Sequence, residues 1–370
     1  MRDLDWRAMQ RLPFRRLVAG PAPAPDRILF MSIWFRHHNN PRYAELLPRL
    51  SRLDRYLFVL SDRRVPRGVA FRVLRSGRSF WHPVALGAGS RRYHGLFTAD
   101  NEQIAHFAGP VVSDVDDPFY TSREVELLNR PNVAAYVVTA ERAARRYEEL
   151  GVRTPFHVIP QGVSLASVSK EGVEAVRTLR RNGEVVVGYM AAHLLSAGDR
   201  GGESPLYNVD HLLELWDEIH RREPDARLWL LGGASERVRE RCAGRADIVL
   251  FGRLPRDRVL DHVANFDLAL YPRTADQGIR AAKVAEYMGL GVPTVSYDYE
   301  VTSVLRETGA GVLVSEPRDF VDAVVRLAKD AEARAELAEA AGRAGRELDW
   351  DVLARRYEEQ ILDRYLPPGG

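Results

Sequence analysis

Apolar and polar positions alternate along this chain in a repeated two-part rhythm. Short apolar runs are bounded by Gly, Pro, Asn or Asp, and between them lie stretches whose apolar residues recur every three or four positions. The first pattern predicts buried strands and the second amphipathic helices. Strands are expected over 27–32, 56–60, 68–74, 95–98, 110–115, 134–139 and 156–160, with helices over 42–53, 122–129 and 141–150. A polar stretch from Gln161 to about Gly183, with one helix inside it, interrupts the series. The rhythm restarts with strands over 185–190, 227–231, 248–251, 268–271, 294–297 and 311–314. Helices are expected over 209–223, 235–243, 256–265, around Lys283, over 302–308, and as one long element over 317–347. A long Gly-rich loop is expected over 191–207.

Strands alternating with helices predict an α/β protein with parallel sheets and right-handed crossovers. Two such series predict two Rossmann-like parallel-sheet domains facing a cleft, with ligands at the carboxyl ends of the strands. The expected organisation is an N-terminal arm (1–25), a first domain (26–163), a linker (164–183), a second domain (184–347) and a C-terminal helix (348–370). That last helix places Leu353, Tyr357, Ile361 and Tyr365 on one side.

Composition narrows the function classes. A length of 370 residues exceeds one ordinary core, and 45% hydrophobic with 28% charged residues is globular composition. A net charge of +2 argues against general nucleic-acid binding. The single cysteine, Cys242, excludes an intramolecular disulfide or a cysteine-rich metal site and fits a cytoplasmic location. No apolar run reaches bilayer-spanning length, and no signal-peptide pattern opens the chain. The arm mixes Leu4, Trp6, Met9, Leu12, Phe14 and Leu17 with arginines. It either packs on its own domain or contacts the inner face of a membrane peripherally.

The most informative stretch runs from Asp276 to Val295: a Gly-containing loop, a short helix, and a Gly-x-Pro turn into a buried strand. Helix N-termini favour anions. Lys283 and Glu286 are three apart and share a helix face. One ammonium for a diphosphate and one carboxylate for ribose hydroxyls suit a nucleotide sugar. Lys283 is also one of only three lysines, with Lys170 and Lys329; the rest of the 53 basic residues are arginine. The plain alternative is a solvated helix residue, the reading given to Lys170 and Lys329.

Several motifs in order resemble a retaining glycosyltransferase of the GT-B fold, in the sucrose-synthase-like (group 1, family 4) class. His157-Val158-Ile159-Pro160-Gln161-Gly162-Val163 is similar to the class's domain-boundary motif, with Gln161 for the usual Asn. Val249–Pro255, Phe266–Pro272 and Lys283–Pro293 resemble three further motifs, and the Trp350 helix resembles the one that crosses back to the first domain. The resemblance implies a metal-independent hexosyl- or glycosyltransferase moving sugar from a nucleotide diphosphate sugar, UDP-linked first and GDP-linked second, with no other cofactor. It implies a carbohydrate, lipid-linked or natural-product acceptor, as in polysaccharide biosynthesis. The alternatives are a nucleotide-sugar 2-epimerase of the same fold and a non-catalytic nucleotide-sugar-binding subunit.

Two departures shape the expected site. The class often carries a Glu-x7-Glu pair; Glu286 matches the second member, but Gly278 stands at the first. Backbone amides of Gln277, Gly278 and Ile279 are expected to serve the donor instead, or Asp276 shifts inward. Arg200 is the expected second diphosphate partner, and His193 either touches donor phosphate or caps a helix. Where the class often has His-Asp after the strand ending at Val115, this chain has Asp116-Asp117. With Lys283, they are the expected catalytic residues, positioning or deprotonating the acceptor hydroxyl or stabilising an oxocarbenium charge. Asp-Asp-Pro is equally turn and N-cap chemistry. His37, His38, Asn39 and Asn40 are the expected acceptor wall, since the first βα loop opens onto the cleft. The adjacent His37 and His38 do not make a zinc pair, and no metal ligands are expected. For the aromatics Trp34-Phe35 and Phe119-Tyr120 the plain reading is core packing; sugar acceptors also stack on aromatics, which alone decides nothing.

Overall fold

The computed structural model describes residues 24–32, 41–51, 56–60, 93–99, 101–202, 208–273 and 282–367. The strand expected over 68–74 lies outside the described residues. Among them the chain forms two compact units: the described parts of Met1–Ile159 together with those of Ala354–Gly370, and those of Pro160–Leu353. Each is built on a six-stranded sheet, and all the strand pairs are parallel.

The first sheet runs β2-β1-β3-β4-β5-β6. Its strands are β1 (Ala24–Ser32), β2 (Tyr56–Leu60), β3 (Tyr93–Thr98), β4 (Val111–Val115), β5 (Val133–Val138) and β6 (Phe156–Val158). Every residue of β4 is buried, as expected of a parallel strand covered on both faces. The C-terminal segment joins this unit: Tyr357 and Ile361 are fully buried, and His157 Nε2 lies 2.9 Å from the Tyr365 hydroxyl. Burial, then the nearby Arg364, lowers the His157 pKa. The segment is helical over Trp350–Arg356, widens to a π-helix over Tyr357–Leu362, and closes with Asp363–Tyr365.

The second sheet runs β12-β11-β10-β7-β8-β9. Its strands are β7 (Val185–Leu194), β8 (Ala226–Ala234), β9 (Ile248–Gly252), β10 (Leu268–Tyr271), β11 (Thr294–Tyr297) and β12 (Gly311–Val314). Helix Asp210–Arg222 buries Leu212, Leu213, Leu215, Trp216 and Ile219 on one stripe, and its Trp216 Nε1 donates to Asp247 at 2.8 Å. On another face Trp229, Phe266 and Tyr287 pack with Val186 and Met190.

Two expectations need correction. Strand β7 continues through Leu194, so residues 191–194 are strand rather than loop; after a register shift His193 pairs with Gly233 of β8. The single helix expected over 317–347 is two, Pro317–Lys329 and Ala331–Arg346. Asp330 leaves helical backbone at φ −101°, ψ 92°, and its carboxylate accepts from the Ala333 amide at 2.9 Å, capping the second helix. An Asp inside an apolar stripe was thus a stop signal hidden by unbroken periodicity.

The two glycine-containing motifs have packing reasons. A Cβ on Gly162 would come within 2.7 Å of the Trp350 ring and 2.8 Å of Leu353. The Val163 amide donates to Leu348 O at 2.9 Å, and the Trp350 amide to Val163 O at 3.0 Å. Gly291 takes φ +67°, the left-handed conformation that turns helix Ala282–Gly289 into β11.

Candidate functional site

In the second sheet β7 has β8 on one side and β10 on the other, and the chain order reverses between β7 and β10. A crevice opens at such a switch point, beyond the carboxyl ends of the strands. A small recess lies there, lined by Tyr189 of β7, by Tyr271, Pro272 and Arg273 at the end of β10, and by Asn208, Leu212 and Lys283. Lys283 is the second residue of helix Ala282–Gly289.

Lys283 is half-buried. Nζ donates to the Tyr189 hydroxyl at 3.3 Å and lies 5.0 Å and 5.7 Å from the ring centroids of Tyr189 and Tyr271. Burial lowers its pKa below the usual lysine value; Tyr271 and Glu286 favour the charged form, while Arg273 opposes it. Lys170 and Lys329, by contrast, are exposed. Arg273 is 4% exposed, and Pro272 alone separates it from the end of β10. Two cations thus line one recess, an arrangement an anion stabilises. One turn along the helix, Glu286 is 8% exposed and meets Arg256 Nη2 at 3.4 Å. Arg256 opens helix Arg256–Val263, which follows β9.

The remaining donor-site expectations divide. His193 is exposed near the end of β7, and Arg200 is exposed in the turn that Asp199 organises by accepting from the Ser196 amide at 2.7 Å. Neither lines the recess; the second cation beside Lys283 is Arg273. Gln277, Gly278 and Ile279, with Asp276, lie outside the described residues, as do His37, His38, Asn39 and Asn40.

In the first unit, Asp116 follows β4 and is 4% exposed, while Asp117 is half-buried. Neither caps the next helix. Thr121 does, accepting from the Glu124 amide at 3.2 Å while Glu124 accepts from the Thr121 amide at 3.3 Å, a capping box. Asp116 instead adds its field to a buried cluster that sequence reasoning missed. Arg42, fully buried, donates from Nε and Nη2 to Asp114 at 3.1 and 3.3 Å, and from Nη2 to Ile159 O at 3.0 Å. It also contacts the Tyr357 hydroxyl, which donates to Asp114 at 2.9 Å. Burial works against the Arg42 charge, but Asp114, Tyr357 and Asp116 outweigh it and hold the guanidinium protonated. Burial, reinforced by Asp114, keeps the Tyr357 phenol neutral against the pull of Arg42.

Arg273 had only one sequence signal, a cation directly after the strand-Pro motif, and the abundance of arginine masked it. Arg42, Asp114 and Tyr357 meet across separations of 72 and 243 residues, which no local spacing announces. Among the described residues no cluster of three His, Cys, Asp or Glu could hold a metal, and no helix is long and apolar enough to cross a membrane.

Known proteins share this fold. Residues 193–330, which contain the recess lining except Tyr189, match the model of the family described as glycosyl transferases group 1. A Xenopus tropicalis "Glycosyltransferase 1 domain-containing protein 1" is 25% identical over 215 residues, 56% of this chain and 60% of that protein. Among solved structures, Anabaena Alr3699/HepE in complex with UDP and glucose superposes with a TM-score of 0.69 at 17% identity, covering 90% of this chain and 99% of its own. WaaG, a glycosyltransferase of lipopolysaccharide biosynthesis, gives 0.67 at 12% identity over 93% and 100%. A Listeria monocytogenes protein described as a candidate UDP-N-acetylglucosamine 2-epimerase gives 0.64 at 12% identity over 93% and 99%. The fold is therefore GT-B, and the resemblance to group 1 glycosyltransferases read from the motifs is borne out over the second sheet.

Proposed function

We propose that the protein moves a sugar from a nucleoside diphosphate sugar to an acceptor hydroxyl, with retention and without a metal. The observation that carries this reading is the recess at the β7/β10 switch point, where Lys283 and Arg273 stand together inside the family-matched segment. Two cations there suit the phosphates of a leaving diphosphate, whose developing charge they neutralise. Glu286 suits the ribose hydroxyls, held in place by Arg256. A UDP-linked donor is favoured because a structure of the same fold was solved with UDP and glucose. In the reaction the bond from the anomeric carbon to the phosphate oxygen breaks as the acceptor oxygen bonds to that carbon on the same face. The acceptor proton passes to the departing phosphate or to a carboxylate. Asp116 and Asp117 are the proposed carboxylates of the first unit, at the end of β4. Much of the acceleration then comes from positioning. The acceptor is a carbohydrate or a sugar-bearing lipid or natural product.

The same fold in an epimerase candidate keeps a second reading open, in which the donor itself is isomerised. One assay separates them. The protein is incubated with UDP-glucose, UDP-N-acetylglucosamine or the corresponding GDP-sugars, with and without an acceptor panel and EDTA, and products are resolved by NMR. Transfer with an α-linked donor giving an α-linked product in EDTA supports the proposal. Epimerised donor without acceptor supports the second reading. Loss of transfer in EDTA with recovery in manganese defeats the metal-free mechanism. Donor binding without any transfer identifies a non-catalytic subunit.

A further inference from the structure

The loop that follows Asp116-Asp117 does something the core-packing expectation did not anticipate. Phe119 is 74% exposed, the one aromatic among the strongly exposed large hydrophobics of the described residues. Its neighbour Tyr120 has φ +56°, the only non-glycine residue with positive φ among them. Such backbone persists only where its surroundings over-determine it, and it clusters at ligand sites. Here the surroundings do so. The Tyr120 ring packs 5.0 Å from that of Tyr147, with the Arg146 guanidinium 4.7 Å from its centroid. Beneath the loop, the buried Glu124 accepts from the Phe119 amide at 3.0 Å, the Thr121 amide at 3.3 Å, the Tyr147 hydroxyl at 3.2 Å and Asn101 Nδ2 at 3.3 Å. Tyr120 turns inward, and the same turn leaves Phe119 outward on a rigid base.

A ring that is alone in its exposure among the aromatics of the described residues, on a loop directly after Asp116 and the half-buried Asp117, has a restricted set of partners. An anionic lipid surface calls for a broader apolar face flanked by cations, and Phe119 instead follows Asp116 and Asp117 in the chain. A protein partner calls for a contiguous patch far larger than one ring. A pyranose fits: its C–H face covers one aromatic ring, and its hydroxyls donate to carboxylates.

We propose that Phe119 is the stacking platform of the acceptor subsite and holds a pyranose ring against its face beside Asp116 and Asp117. This rests on the transferase reading above and narrows its acceptor to one that presents a pyranose. The test uses the full chain as wild type, Phe119→Ala and Phe119→Trp, saturated with UDP. A panel of methyl glucosides, galactosides and N-acetylglucosaminides is followed by saturation-transfer NMR. At least one pyranoside should receive saturation from wild type; Phe119→Ala should weaken its binding about tenfold, and Phe119→Trp should hold it within about twofold. Melting temperature and UDP affinity should be equal in all three proteins, since the ring lies outside the core. Pyranoside binding indifferent to Phe119→Ala overturns the proposal, as does absence of any pyranoside binding. So does a selective loss of binding to phosphatidylcholine–phosphatidylglycerol vesicles, which would make the ring a lipid contact. The UDP titration reports separately on the parent reading: a wild type that binds no UDP sinks the function, whereas UDP binding with indifferent pyranosides sinks only the platform.

Discussion

Each unit keeps a buried cluster of charge near the carboxyl end of its sheet, and the two clusters differ in sign and closure. Two cations, Lys283 and Arg273, line the recess of the second unit, and one turn along the helix Glu286 pairs with Arg256. Around Arg42 the carboxylates Asp114 and Asp116 outnumber the one guanidinium. The Arg42–Asp114 pair is sealed, with both side chains at 0% exposure and two nitrogens on one carboxylate. Lys283 borders an open recess and rests against the Tyr189 hydroxyl and the ring faces of Tyr189 and Tyr271. A closed, geometrically matched pair is what a fold uses to fix its own parts. Like charges gathered at a recess cost stability and are better explained by a ligand of opposite sign. Sugar transfer by the proposed route needs both signs: cations at the leaving diphosphate and a carboxylate at the acceptor.

The contrast can be broken most decisively at the sealed pair. Asp114→Ala leaves Arg42 buried without its carboxylate and should cost about 3–5 kcal/mol of stability in denaturant titration. Lys283→Met removes a charge that burial already disfavours and should leave stability within about 1 kcal/mol of wild type. Equal losses for the two variants would erase the distinction between structural and ligand-directed charge. Smaller than the loss of Asp114 is that of Tyr357→Phe, which deletes the hydroxyl that accepts from Arg42 and donates to Asp114 and should cost about 1–3 kcal/mol.

The next effect concerns the ligand. Glu286→Ala should weaken UDP binding by about 1–3 kcal/mol, the size of lost charge-assisted hydrogen bonds. Arg273→Gln should weaken UDP by a similar amount while touching uridine little, because the guanidinium is assigned to phosphate. Calorimetry with UDP, UMP and uridine separates these roles, and unchanged UDP affinity in either variant removes that residue from the site. Lys283→Ala should lower turnover in a way that EDTA does not reproduce in wild type.

A smaller effect is read in protons. The Lys283 pKa in the folded protein lies below its ordinary value of 10.5, so between the two values the unfolded chain holds the proton more tightly. The stability penalty is therefore present at neutral pH and is relieved as pH rises through that window. A bound diphosphate reverses the preference by favouring the ammonium. UDP binding should then take up protons as pH approaches 10.5, seen as a dependence of binding enthalpy on buffer ionisation, and Lys283→Gln should abolish the uptake.

Local pattern carried much of the fold and part of the site. Each described strand overlaps an apolar run, because parallel strands covered on both faces have no polar alternation to blur them. Lys283 and Glu286 were legible because helix spacing places them on one side. Arg273 was not, since a single arginine after a proline has no period. The Arg42–Asp114–Tyr357 cluster was not either: Tyr357 read as an apolar stripe position, and its hydroxyl only gains meaning once the last helix is docked. Phe119 stayed undecided between core packing and an exposed ring, because nothing local foretells the left-handed turn at Tyr120. The break at Asp330 shows the same limit, a polar cap lodged inside a continuous helical rhythm.

Gly162 has a practical corollary for anyone shortening the protein. The backbone at Val163 is stitched on both sides, by Leu348 O and by the Trp350 amide, and the indole lies flush against the missing side chain. The last two dozen residues are therefore not a removable tail. Cutting the chain ahead of Leu348 would strip two backbone bonds and an aromatic lid from a segment nearly two hundred positions upstream, so a trimmed version should lose its second unit's opening turn along with its own terminus.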